Sequence, residues 1–347
     1  MPHYTSEVAW SNILVRAANW VGDAVLSLPA LRAIRERNPL AHLAILARPW
    51  VAGLYAREPF CDEYIAAPRS FAARLGLARA LRQRRFDAAI LLPNSFEAAL
   101  VARLAGIPQR IGYRRDGRGF LLTAAIPPPR PGEIPRHESF YYLELLRRSG
   151  ILPELPPAAP ILLHGSEEAR RIGQARFQSL DFPLPVIGIS PGAENSRAKQ
   201  WLPERFVEAA TLLAALLQAG VVLFGSPKEQ ALCRLLAGQI RQSGCRVLNM
   251  AGETTLAQFV ELAAACRLFL ANDSGAMHVA SALGVPTLAV FGPTDWIATA
   301  PAGPHFRILR QPVDCSPCLF RDCPIDHRCM LGVTAEQVAQ AALELVK

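Results

Sequence analysis

Two doubly wound α/β lobes are what this sequence predicts, and three observations carry the prediction. The chain has 347 residues, more than one hydrophobic core comfortably serves. Short apolar runs bounded by turn formers alternate with stretches of helical periodicity, the pattern of a parallel sheet covered on both faces. Two proline-rich stretches, 126–135 and 152–160, interrupt that alternation, which then restarts with a fresh strand at 183–190. The predicted division is therefore a first lobe over 1–165 with a linker to about 185. A second lobe follows over 186–330, and a terminal helix over 331–347.

In chain order, Asn12–Arg16 reads as a buried strand, followed by the loop Asn19-Trp20-Val21-Gly22-Asp23 and a helix with Ala24, Leu28, Leu31 and Ile34 on one face. His42–Ala47 and 87–92 are further strands, and 138–148 is helical between the proline-rich connectors. In the second half, strands are expected at 183–190, 221–224, Val247–Asn249, 267–271 and Thr287–Phe291. Helices begin near Pro203, Pro227 and Thr255, and 334–346 forms the last one. Neither half carries G-x-G-x-x-G after its first strand, nor G-x-x-x-x-G-K-[ST], which argues against dinucleotide and P-loop chemistry.

Charge is uneven. Residues 1–175 hold 23 arginines, no lysine and 15 acidic residues, so the whole formal charge of +8 lies there. The first half is thus suited to an anionic partner, or presents a solvated arginine face. Nucleic acid fits poorly, because the basic stretch 110–118 has only Tyr113 within it and Phe120 nearby. No apolar run reaches 18 residues and the N-terminus lacks a signal-peptide pattern, so a cytoplasmic protein without a transmembrane segment is expected.

Several groups could carry chemistry. Asp273-Ser274-Gly275 opens a small-residue helix after a strand, where uncapped N–H groups and the helix dipole suit phosphate. His278 follows Ser274 by four residues on the same helical face. The next strand ends in a second polar turn, Gly292-Pro293-Thr294-Asp295. Ser190, Gly192 and Asn195 lead to Lys199, notable where lysines number three against 34 arginines. Gly225 and Ser226 end another strand, and Gly252 with Thr254 and Thr255 precede a helix. Asp23 follows Gly22 where a strand gives way to a helix, which keeps its carboxylate ionised. Each of these also reads as an ordinary cap, a packed side chain or a solvated charge. Cys315, Cys318, Cys323, His327 and Cys329 offer soft ligands for a structural zinc, or a set of buried thiols.

The segments 19–31, 190–203, 268–295 and 315–330 resemble, in that order, the ADP-heptose:lipopolysaccharide heptosyltransferases of glycosyltransferase family 9. The lysine loop and the cysteine segment are most similar to the heptosyltransferase II branch. The resemblance implies the GT-B architecture, two Rossmann-like lobes facing a central cleft. It implies an inverting transfer of L-glycero-D-manno-heptose from ADP-heptose to the heptosylated inner core of lipopolysaccharide, without a required cofactor. Asp23 is then the general base and Lys199 the group that stabilises the leaving diphosphate. Gly22, Ser190, Gly192, Asn195, Gly225, Ser226, Asp273, Ser274, Gly275 and His278 would surround the donor. Arg114, Arg115 and Arg118 would meet the anionic lipid A–core acceptor, placing the enzyme at the inner face of the inner membrane. Heptosyltransferases I and III, another nucleotide-sugar transferase, and a non-catalytic nucleotide-sugar or lipid-binding module are the alternatives.

Overall fold

In the computed structural model, residues 10–194 and 196–347 are described, and the chain divides into compact units Met1–Ile161 and Leu162–Lys347. The first unit contains β1 (Asn12–Arg16), β2 (His42–Ala47), β3 (Glu63–Ala66), β4 (Ala88–Leu91), β5 (Gln109–Tyr113) and β6 (Ala124–Ile126). All are parallel, in the order β3-β2-β1-β4-β5-β6. The second unit contains β7 (Val186–Ser190), β8 (Gly220–Leu223), β9 (Val247–Asn249), β10 (Leu268–Asn272), β11 (Thr287–Phe291) and β12 (Phe306–Arg310). Its order, β9-β8-β7-β10-β11-β12, repeats the first when strands are counted within the unit. The expectation of two doubly wound sheets is met.

Four strands, β3, β5, β6 and β12, join those that apolar runs mark. β5 contains Arg110, whose guanidinium is buried and donates from Nε to Leu121 O at 2.7 Å. β12 is an edge strand whose Phe306 and Arg307 are exposed, so no apolar run announces it.

In each sheet the first and fourth strands lie side by side and the connections diverge around them. The crevice outside their carboxyl ends is where open α/β sheets bind ligands. β1 and β4 frame that point in the first unit, and β7 and β10 frame it in the second.

The second core is closed from below by the terminal helix Ala335–Leu345, capped by Thr334 with Gln337 at its third position. Val338 and Ala342 of this helix share a buried cluster with Ile187, Leu270 and Leu288. Trp201, almost wholly buried, packs edge-on against Phe206 at 5.0 Å and donates from Nε1 to Val333 O at 3.0 Å. Among the described residues, no helix is long and apolar enough to cross a membrane.

Candidate active site

The second unit assembles its site from three turns. β7 ends at Ser190 and passes through Pro191 and Gly192, while β10 ends at Asn272, a fully buried side chain. Asn272 ties these turns together: Nδ2 donates to Pro191 O at 2.7 Å, and Oδ1 accepts from Trp201 N at 2.9 Å. Both ends of the lysine loop are thereby fixed to the strand that carries Asp273. Lys199 Nζ lies 2.8 Å from Asp273 Oδ2, with the lysine 28% exposed and the aspartate only 5%. The contact has ion-pair distance without hydrogen-bond alignment, so Oδ2 keeps a free acceptor direction. The mostly buried carboxylate holds the ammonium beside the helix Gly275–Ala282, whose cap Ser274 accepts from Met277 N at 3.5 Å. A cation and a helix N-terminus at one turn make an anion cradle.

Gly192 and Gly225 both face Glu229, a residue that the sequence reading did not single out. A Cβ on Gly192 would fall 1.8 Å from Glu229 Oε1, and one on Gly225 would fall 3.1 Å from Glu229 Cβ. A side chain at the first position would displace the Glu229 carboxylate. Glu229 Oε2 accepts from Ser226 N at 2.7 Å, so the carboxylate is locked between the turns after β7 and β8. The S-x-x-E spacing of a capping box was its signal, and it reads equally well as a cap. Gly252 has a left-handed backbone (φ +75°), and Thr255 forms a capping box with Gln258, so that turn is accounted for by local structure. His278 is 5% exposed and sits inside the helix packing, with its backbone N–H returning to Ser274 O. Asn195 lies outside the described residues.

The first unit presents a different edge. Asp23 stands in the first turn of the helix Val21–Leu26, after β1, with Gly22 beside it. Arg16, buried at the end of β1, braces the preceding loop by donating to Ala17 O at 2.7 Å and Asn19 Oδ1 at 2.5 Å. Burial, with Arg48 nearby, lowers the Arg16 pKa to about 10. Burial also pushes the Glu138 carboxyl up to about 7, the Asp23 charge adding to the effect and Arg115 opposing it. Asp23, Glu138 and Arg115 therefore share one electrostatic neighbourhood. Arg114 and Arg115 are exposed in the loop after β5. Exposed aromatics line the same carboxyl edge: Trp20 after β1, Trp50 after β2, Phe96 after β4 and Phe120 after β5. Arg69 stacks on Trp50 at 4.7 Å, and Phe96 meets Phe120 at 6.1 Å.

Two expectations need correction. Arg118 is 0% exposed, and its guanidinium donates to Tyr113 O at 3.0 Å, to Ser95 O at 3.3 Å and to Pro93 O. It holds the loop together from inside and has no face left for an acceptor. The cysteine segment likewise departs from the zinc expectation. Among the described residues, no three His, Cys, Asp or Glu side chains are arranged to hold a metal. His327 Nε2 is committed to Ala198 O at 2.7 Å, Cys329 is buried in the core, and Cys315 points to solvent.

The family model described as glycosyltransferase family 9 (heptosyltransferase) matches residues 74–328. The chain belongs to that family. The resemblance drawn from its motifs is thus borne out, and the protein is a glycosyltransferase of the heptosyltransferase type. Lipopolysaccharide heptosyltransferase 2 of Escherichia coli K12 is 36% identical over 315 residues, covering 86% of this chain and 87% of that protein. The solved structure of E. coli ADP-heptose lps heptosyltransferase II superposes with a TM-score of 0.82 at 32% identity, over 96% of this chain and 98% of that one. E. coli heptosyltransferase WaaC with ADP-2-deoxy-2-fluoro heptose shares the fold at a TM-score of 0.71 and 18% identity, over 96% of this chain and 99% of that one.

Proposed function

We propose that this enzyme moves L-glycero-D-manno-heptose from ADP-heptose to the heptosylated inner core of lipopolysaccharide, with inversion at the anomeric carbon. The observation that carries the reading is the Lys199–Asp273 pair at the mouth of the helix Gly275–Ala282, beside the switch point of the second sheet. The named activities of the 36% identical relative and the 32% identical solved structure support the choice of sugar and nucleotide.

In the reaction, an acceptor hydroxyl oxygen forms a bond to the anomeric carbon as the bond from that carbon to the diphosphate breaks. The Asp23 carboxylate takes the hydroxyl proton, a role for which it must be ionised. The electron pair of the broken bond leaves with ADP. Lys199 and the helix N–H groups meet that growing negative charge more strongly in the transition state than before it. Glu229, fixed between two turns, would in this reading accept hydrogen bonds from ribose hydroxyls. Arg114 and Arg115 suit the phosphates of an anionic core, and the exposed aromatics beside them suit its lipid and a membrane surface. No step calls for a metal or a bound cofactor.

The test is a transfer assay offering ADP-heptose, ADP-glucose and UDP-sugars to a mono-heptosylated and to a heptose-free core acceptor. Turnover confined to ADP-heptose and the mono-heptosylated acceptor is expected. Preference for the heptose-free acceptor would reassign the enzyme to the first transfer, and preference for another donor would overturn the reading.

A further inference from the structure

The cysteine-rich segment between β12 and the terminal helix holds no metal-like cluster, yet its backbone and polar side chains are heavily engaged with two turns of the donor unit. Cys318 N and Leu319 N both donate to Pro293 O, at 3.0 and 2.8 Å, and Ser316 Oγ donates to Gly292 O at 2.6 Å. These bonds pin one end of the segment to the polar turn after β11. Further on, the segment grips the lysine loop. Ser196 Oγ donates to Arg321 O at 3.2 Å, Ala198 N donates to Arg321 O at 2.9 Å, and Arg197 pairs with Asp322 at 2.6 Å. Finally, His327 Nε2 lies 2.7 Å from Ala198 O.

Both backbone groups of Ala198 are therefore taken by this segment, and Ala198 itself is buried. The next residue is Lys199, in the single 3-10 turn Arg197–Lys199. A one-turn helix of this kind has little internal cooperativity, so its geometry depends on outside partners. A carbonyl only accepts, so Nε2 of His327 must carry the hydrogen. That requirement is satisfied in the neutral Nε2–H tautomer and in the imidazolium alike. His327 is itself held in a left-handed conformation (φ +57°), with its N–H directed at Cys323 Sγ at 3.3 Å.

We infer that residues 316–327 form a strap that sets the position of Lys199, and that His327 is its positioning residue. The strap connects the turn after β11 to the lysine loop, so the ammonium is placed by a segment more than a hundred residues away in sequence. This inference rests on the reading in which Lys199 meets the donor diphosphate, and the test separates the two.

The experiment compares the parent with His327→Ala, His327→Gln, His327→Asn, Lys199→Ala and the Lys199→Ala/His327→Ala pair. KM for ADP-heptose, kcat, KM for the acceptor, ADP affinity by calorimetry, and the melting temperature are measured for each. His327→Ala leaves a buried carbonyl unpaired, and donor KM and ADP dissociation constant are expected to rise about 3- to 10-fold. Acceptor KM is expected to stay at the parent value. His327→Gln, whose amide N–H extends to the place of Nε2, restores most of the loss, and the shorter His327→Asn restores less. On the Lys199→Ala background, His327→Ala should add nothing further, because the group it positions is gone. Parent-like donor constants in folded His327→Ala would overturn the inference. So would an undiminished effect on the Lys199→Ala background. If His327→Ala does not fold, equal parent-like behaviour of the Gln and Asn variants would overturn it instead. Failure of the underlying reading shows separately, as a Lys199→Ala enzyme with full ADP affinity.

Discussion

The two units are wired identically and finished differently. Each sheet runs 3-2-1-4-5-6 in its own numbering, with its switch point between the first and fourth strands. Along the carboxyl edge around that point the first unit carries Asp23, exposed arginines and four exposed aromatics. The second carries close-packed glycines, a locked glutamate and an ammonium held by a buried aspartate. One edge is built of long side chains that reach outward, and the other of turns packed closely against a glutamate. The strand order provides the place for a site, and the residues in the turns decide its chemistry.

Four variants can break or sharpen that contrast. Asp23→Asn is expected to reduce kcat about 10²- to 10⁴-fold while ADP affinity, read by calorimetry, stays at the parent value. A variant that loses both would remove the division of labour between the edges. Lys199→Ala is expected to lower kcat about 10²-fold and also to weaken ADP binding, with acceptor KM unchanged. The third change, Glu138→Gln, reads out in stability against pH. The Glu138 carboxyl is raised from 4.5 to about 7, so between those values the native state keeps a proton that the unfolded chain has released. Stability therefore falls as pH rises through that window, the reverse of the usual carboxylate case. Glu138→Gln cannot ionise, and its thermal unfolding should gain about 3 kcal/mol over the parent at pH 8 relative to pH 4. Equal slopes in the two proteins would place Glu138 in a more solvated setting than its neighbours indicate. The smallest effect is expected from Arg114→Ala/Arg115→Ala, a rise of about 10-fold in acceptor KM that shrinks in high salt and leaves donor constants untouched.

Turn grammar made much of this legible in the sequence. Asp273-Ser274-Gly275 after an apolar run, and Lys199 in an arginine-rich chain, stand out because few residue types suit those positions. The arginines of the first unit were harder. In the stretch 110–118, Arg114 and Arg115 face outward while Arg110 and Arg118 turn inward to carbonyls, and nothing local distinguishes them. Glu229 stayed hidden because a capping box is a complete explanation of its spacing until Gly192 is seen against it. The five candidate metal ligands were legible as a cluster in sequence, and Cys315, Cys323 and Cys318 do lie near enough to act on Cys329, yet among the described residues no three of the ligands are arranged to hold a metal. His327 found a carbonyl and Cys329 a core, contacts supplied by residues well over a hundred and about forty positions away. The strands β5 and β12 escaped notice for a related reason. A buried arginine breaks the apolar run of one, and the other lies at a sheet edge, where an apolar run is not required.

The way the terminal helix enters the second core bears on how the chain is made. The first sheet has all its strands once residue 126 is in hand, whereas the second needs Val338 and Ala342 beneath Leu270 and Leu288. During synthesis the arginine-rich first half can therefore settle while the second half still lacks residues 335–345. A nascent chain halted near residue 330 would present one finished sheet and one with its floor missing. Proteolysis of such stalled chains should accordingly spare the first half and digest the second.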